Sequence, residues 1–243
     1  VKLPFGDTYQ IGGEPVSPDE VLTNPLPCWN RPEVYALCAR KVRDFAALPV
    51  DGLAFDCLGY RNYHRCHCAV CEARLAEYLH AHPGATAAQW AEQTLVDFNN
   101  AMAQVAREVR PDLSLTTHVY PIFLPHPYYG YRLHLDYVGE TVAWFFRPHW
   151  PLTKVQARVS EIVAHQGSCF AGQRAAPFVA FDARKLRNYR SARRVAAELE
   201  CIKQSGATAL QMAELGYLLQ QPQVAQAVAE ALGGSYQAPP RRE

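Results

Sequence analysis

The chain has 243 residues, 24 Lys and Arg against 23 Asp and Glu, 9 His, and a formal net charge of +1. That balance lacks the basic excess of a dedicated nucleic-acid binder, and 49% hydrophobic with 19% charged residues is a folding composition, not a disordered one. No apolar run approaches the roughly 18 residues of a membrane helix, so neither nucleic acid nor membrane is expected as a partner. The first residue is Val1 and VKLPFGDTYQ reads as mid-sequence, so the chain is read as processed or excised from something longer. No signal peptide is recognisable and the cysteines look unpaired, which favours the cytoplasm, although a removed leader would leave the same text.

Residues 1–31 are rich in Pro, Gly and Asp and read as a loop-rich opening, with Val1–Leu3 as the end of a strand. Pro32 starts a helix, PEVYALCARKVRDFAAL, with Val34, Leu37, Val42 and Phe45 recurring along it. VDGLAFDCL is a buried strand bounded by turn residues. A Cys-rich loop follows, then a helix CEARLAEYLHAH stopped by Pro83-Gly84. Residues 87–109 form the longest amphipathic helix, carrying Trp90, Leu95, Phe98, Met102, Val105 and Val109. LSLTTHVYP is a β-branched strand, PIFLPHPYYGYRLH a long loop and LDYVGETVAWF a further strand. LTKVQARVSEIVAHQ is helical, APFVAFDAR a buried strand, and SARRVAAELECIKQSG a helix capped by Gly206. ATALQMAELGY is the last strand, QPQVAQAVAEALGG the last helix, and residues 235–243 a frayed tail.

Apolar strands alternating with helices indicate an α/β fold with a parallel sheet covered by helices. No Gly-rich dinucleotide fingerprint and no P-loop is present. Polar residues stand at or near the carboxyl ends of nearly all the strands: Asp56, His118, Glu140, Asp182 and Glu214. In a TIM-type (β/α)₈ barrel those ends build the active site, so a single barrel-type catalytic domain over residues 1–243 is expected. Five strands are clear, or six with the first few residues. Either the opening βα units lie outside this chain or the barrel is incomplete, and the odd first residue favours the former.

Of eight cysteines, Cys38 and Cys201 sit in helical patterns and read as small buried apolar residues. Cys66, Cys68 and Cys71 are crowded into Cys66-His67-Cys68-Ala69-Val70-Cys71. Such close neighbours rarely pair without strain, so a metal site is expected over disulfides. Zinc suits the ligands, whereas the spacing matches neither ferredoxin pattern.

The stretch from Asn24 to Asp112 resembles TIM-barrel glycoside hydrolases. The text that carries this is TNPLPCWNRPEVYALCARKVRDFAALPVDGLAFD, then CHCAVC, then a Trp and Phe in the long helix and VRPDL. The C-x-C-x-x-C run is similar to the zinc loop of the zinc-containing β-galactosidases. That resemblance implies a fourth Cys from the preceding βα loop, matched here by Cys28, with His64, His67 and Cys57 as competing ligands. Four Cys ligands would close the site, so the zinc is expected to be structural. Where those β-galactosidases carry Asn-Glu at the fourth strand, this chain has Phe55-Asp56.

Glycoside hydrolysis needs one carboxyl group to protonate the leaving oxygen and a second to attack or to activate water. Asp56, at the end of a buried strand, is the first candidate and Glu140 its partner, with Asp182 and Glu214 in reserve. Each has a structural alternative: loop bonding for Asp56, a solvated mid-strand place for Glu140, a salt bridge to Arg184 or Lys185 for Asp182, and a helix cap for Glu214. His118 is a candidate for a substrate hydroxyl, and Tyr60, Trp144 and Trp150 for aromatic sugar platforms. Tyr128-Tyr129-Gly130-Tyr131 is read as a cleft lining or a homo-oligomer contact. The basic stretch Arg184, Lys185, Arg187, Arg190, Arg193 and Arg194 is read as a solvated helix face. A glycosidase acting on a carbohydrate substrate is the first expectation. A non-catalytic carbohydrate-binding or interaction protein on a decayed barrel is the second, and a hydrolase with an open metal position at His64, His67 or His118 the third.

Overall fold

A computed structural model describes residues 28–56, 65–119, 128–143, 149–182 and 189–236. It forms two compact units: one runs to Val138 and includes Gly167–Gln173, and the other comprises Gly139–Gln166 and the chain from Arg174 on.

The first unit opens with α1 (Pro32–Ala46), which has Pro at its start, followed by β1 (Gly52–Phe55) and α2 (Ala69–Ala81). Then come α3 (Ala87–Val109), β2 (Ser114–Val119) and a 3₁₀ turn at Gly130–Arg132. The α3 bounds agree with the amphipathic pattern. Thr86 and Gln89 form a reciprocal capping box at its start: the Thr86 hydroxyl accepts from the Gln89 N–H and the Gln89 carboxamide from the Thr86 N–H. Its inward face carries Trp90, Leu95, Met102 and Val105, all buried. β1 and β2 pair in parallel from Gly52 beside Ser114 to Phe55 beside Thr117. A Cβ on Gly52 would lie 2.3 Å from the Ser114 carbonyl, so this close approach of backbones requires glycine.

One face of α1 is read differently once the packing is seen. Leu37 and Phe45 are exposed, while Ala39 and Ala46 are buried. Small residues let α1 lie close against α3, where Ala39 meets Met102 and Val105 with Val42 and Phe55 alongside.

In the second unit β3 (Tyr137–Ala143), whose first two residues belong to the first unit, is followed by α4 (Leu152–His165), the two-residue β4 (Arg174–Ala175) and β5 (Phe178–Ala180). Next come α5 (Ala192–Gln204), β6 (Gln211–Ala213), the short α6 (Leu215–Leu219) and α7 (Pro222–Ala231). β3 pairs in parallel with β5, and β5 with β6; β4 lies beside β3. Gly139 leaves no room for a side chain, since a Cβ there would stand 2.0 Å from the Ala176 carbonyl. α5 packs against α4 and α7, with Val159, Ile162, Val195, Leu199, Ile202 and Val228 buried. Gly206 ends α5 with φ +84°, the left-handed conformation expected of its cap.

The expected last strand is only three residues long, and α6 begins where the sequence pattern continued it. β4 and α6 escaped the pattern because elements of two and five residues are too short to show a period. The strand–helix alternation and the parallel pairings make an α/β fold built from βα units. The described residues supply six strands, not the eight of a closed barrel.

Candidate functional site

The cysteine cluster forms in the first unit from two places in the chain. Cys28 stands just before α1; Cys66 and Cys68 precede α2, and Cys71 lies in its first turn. The four Sγ atoms lie within 4.8 Å of one another. Cys28 is 3.4 Å from Cys71 and 3.7 Å from Cys68. Four thiolates bound at about 2.3 Å to one zinc stand about 3.8 Å apart, so the spacing fits a tetrahedral ion and is far longer than a disulfide bond of about 2 Å. The group can hold a metal ion.

The surroundings fit thiolates too. Cys68 stands at the N-cap of α2 and Cys71 in its first turn, the end of the helix that carries partial positive charge, and Asn30 donates its amide to Cys71 Sγ at 3.4 Å. The contact with Cys28 and then burial hold the Cys66 thiol well above its ordinary range. Burial pushes Cys71 up to about 11. A bound dication would reverse both shifts. His67 does not join the cluster: it is exposed and pairs with Glu72 at 3.3 Å, which also holds Arg65 at 2.7 Å. Cys57 and His64 lie outside the described residues.

Asp56 and His118 meet in the same unit. Asp56 directly follows β1, and its side chain is 58% exposed. Its Oδ1 stands 3.4 Å from Nε2 of His118, near the end of the neighbouring β2. The Thr117 hydroxyl donates to the Phe55 carbonyl at 2.5 Å and ties the two strand ends together. Burial lowers the His118 pKa, and the Asp56 carboxylate opposes that shift. An open carboxylate therefore faces a buried imidazole, whose charged form burial disfavours, at the carboxyl ends of two parallel strands. That arrangement can hold or pass a proton and can bind a hydroxyl group.

The other three acids belong to the second unit. Glu140 is buried within β3, and its Oε2 lies 3.3 Å from Nε of Arg158 on α4. It is not the solvated mid-strand residue that its sequence context allowed. The contact lacks hydrogen-bond alignment, so burial outweighs the attraction of Arg158 and pushes the carboxyl from about 4.5 up to about 7. The fold thus favours protonated Glu140. Its contribution to stability is complete below about pH 4.5 and is lost as the pH rises to about 7, on the order of 3 kcal/mol in total. Glu140→Gln is expected to flatten the fall in stability across that window and to leave the variant the more stable protein at pH 8. Urea titrations at pH 5 and pH 8 measure both.

Asp182 is buried two residues beyond β5. Glu214 is exposed at the N-cap position of α6, and its side chain makes no capping bond. Arg184, Lys185, Arg187, Tyr60 and Trp144 lie outside the described residues. Trp150 carries the Lys154 ammonium 3.9 Å from its ring centre, a cation–π contact that already uses one face.

Two sequence expectations need correction. Tyr128 and Tyr129 are buried, so they offer no sticky outer surface. Arg190 does not belong to a solvated helix face. It is buried, pairs with buried Glu198 at 3.1 Å and donates to the carbonyls of Ala143 at 3.0 Å and Ala180 at 2.6 Å. Arg194 bonds the other Glu198 oxygen at 2.7 Å. Arg190 therefore holds the carboxyl ends of β3 and β5. The only sequence signal for this network was an acid four residues after Arg194, a pattern as common on open helix surfaces.

No family model matches the sequence, and no curated protein matches it either. Among solved structures, the chain is similar to the PgaB (BpsB) glycoside hydrolase domain from Bordetella bronchiseptica. The TM-score is 0.64 at 14% identity, over 96% of this chain and 69% of that one. At that identity the likeness is one of fold. A β-galactosidase from the Antarctic haloarchaeon Halorubrum lacusprofundi is also similar, with a TM-score of 0.52 at 16% identity over 87% of this chain. This chain spans 39% of that enzyme's length. Among the described residues, no helix is long and apolar enough to cross a membrane.

Proposed function

We propose that this chain is a glycoside hydrolase acting on a carbohydrate through paired carboxylates at the carboxyl ends of its parallel strands. The observation that carries the reading is the open Asp56 carboxylate against buried His118, at the ends of β1 and β2. A carboxylate so open to solvent can be reached by a substrate, as the nucleophile or the base of glycoside cleavage must be. His118 positions Asp56 and is placed to accept or donate a hydrogen bond at a sugar hydroxyl. Asp182 is the preferred second carboxyl group, because it follows the end of β5 and is buried. Glu140 is assigned to packing, since its carboxyl group is engaged by α4. Glu214 stays in reserve. Tyr60 and Trp144, in the segments after β1 and β3, are proposed as sugar platforms.

Cleavage of a panel of chromogenic α- and β-glycosides tests the reading, with Asp182→Asn and Glu140→Gln alongside. Loss of activity in the first and its retention in the second is expected. The opposite pattern would return Glu140 to the active pair.

Cys28, Cys66, Cys68 and Cys71 are proposed to hold one structural zinc. Four sulfurs leave no open position, so the ion would crosslink the chain before α1 to the start of α2 and take no part in chemistry. Metal analysis is expected to find one zinc per chain, and Cys71→Ser to lose it. Chelation is expected to make the chain around residues 65–82 susceptible to protease. Full resistance after the metal has gone would sink the structural role.

A further inference from the structure

Beside the cysteine cluster, a cleft of about 610 Å³ opens among α1, α2, α3 and the turn before α1. Asp56 and His118 are not among its lining residues. Its volume lies in the range of small-molecule sites. Its lining has two kinds of surface. Trp29 stacks on Phe98 with ring centres 5.8 Å apart and an interplanar angle of 28°, and Tyr35 meets the same Phe98 edge-on at 6.3 Å. Tyr78 adds a fourth ring from α2. Polar groups interleave with these rings. Glu77 is exposed and makes no hydrogen bond or ion pair among the described residues, and the sole described partner of Asp97 is Gln93, at 2.6 Å. Arg74 donates to Asn30 at 3.1 Å, and Asn30 in turn donates to Cys71 Sγ, which fixes one wall to the cysteine cluster.

We infer that this cleft is a second saccharide-binding site, separate from the catalytic carboxylates, which takes one or two sugar rings of a neutral glycan. The inference rests on the carbohydrate-directed reading above and goes beyond it. Sugar rings present apolar C–H faces and a rim of hydroxyl groups. Aromatic planes flanked by carboxylates, an amide and a guanidinium answer both features, while a purely apolar guest would leave the polar groups without partners. Two carboxylates against one guanidinium disfavour an acidic sugar. A glycan held here and at the catalytic end together would bind more tightly than at either alone, provided its chain spans the two.

The test uses the whole chain carrying Asp56→Asn, so that substrate is not consumed. Cello-, xylo-, manno- and chito-hexaose are titrated in separately, and a hyaluronan hexasaccharide is the acidic contrast. The indole N–H resonances of Trp29 and Trp90 and the heat of binding are followed. At least one neutral hexasaccharide is expected to shift the Trp29 signal saturably. Tyr78→Ala and Asp97→Ala, the first half-buried and the second exposed, should each weaken that binding about tenfold. In the chain with Asp56 restored, both should leave cleavage of short chromogenic glycosides unchanged. If no neutral hexasaccharide moves Trp29, if only the acidic one does, or if the two variants bind as before, the inference is overturned. Cleavage with a silent cleft would remove this inference alone. Sugar binding at Trp29 without cleavage by the unaltered chain would remove the hydrolase reading and keep the cleft.

Discussion

Asp56→Asn is expected to lower glycoside cleavage by about 10³-fold or more while the fold stays intact. A positioned acid or base contributes roughly 10²–10⁴-fold, and a carboxylate that also attacks the sugar contributes more. The amide keeps the shape of Asp56 but can neither carry the charge nor move the proton. Little stability should be lost, because the side chain is 58% exposed and the pair with His118 spans 3.4 Å at the edge of solvent. A second readout does not depend on activity. Burial lowers the His118 pKa and Asp56 opposes that shift, so removing the charge should lower it further, which NMR titration of the imidazole will show. A normal rate in the variant would exclude Asp56 from the reaction. A normal rate with a lowered His118 pKa would leave the pair as a structural contact.

Glu198→Ala is expected to cost about 3–5 kcal/mol of stability, the usual penalty for stranding a buried charge. Glu198 is 1% exposed, and its removal leaves the Arg190 guanidinium in the interior without its carboxylate. Out of a total stability of roughly 5–15 kcal/mol for an ordinary domain, that loss approaches unfolding. Arg190→Lys should fall short of this, because a single ammonium keeps the charge near Glu198 but cannot reach both Ala143 and Ala180 as the planar fork does. Urea denaturation of the three proteins at one pH measures the order. A loss under about 1 kcal/mol for Glu198→Ala would mean that Arg190 escapes to solvent.

Much of the local architecture is legible from the residues. The period of Trp90, Leu95, Met102 and Val105 marks the whole of α3, and Thr86 with Gln89 marks its start. Gly206 marks the end of α5, and the runs around Gly52–Phe55 and Ser114–Val119 mark paired strands. Cys66, Cys68 and Cys71 announce a cluster because spacing within one turn constrains where three sulfurs can point. These signals are local: a period, a cap or a short spacing acts over a few residues and survives in almost any tertiary setting.

The remaining features depend on distant partners. The bond between Cys71 and Asn30 links positions 41 residues apart, and Arg190 meets Ala143 across 47. No local pattern shows that Glu140 reaches Arg158 on α4, or that Ala39 and Ala46 rather than Leu37 and Phe45 face inward on α1. Hydrophobicity and charge together identify which residues can be buried or paired. Close packing decides which of them are, because a helix turns its smaller face inward when its neighbour lies too near for a larger one. The sequence by itself determined the strand–helix alternation, the long helices and the three-cysteine loop. The family resemblance also named Cys28 as the fourth sulfur, and the structure brings it within reach of the other three. Only the tertiary structure decided the meeting of Asp56 with His118 and the burial of Arg190 with Glu198, since each brings together groups whose separation along the chain carries no signal of their contact.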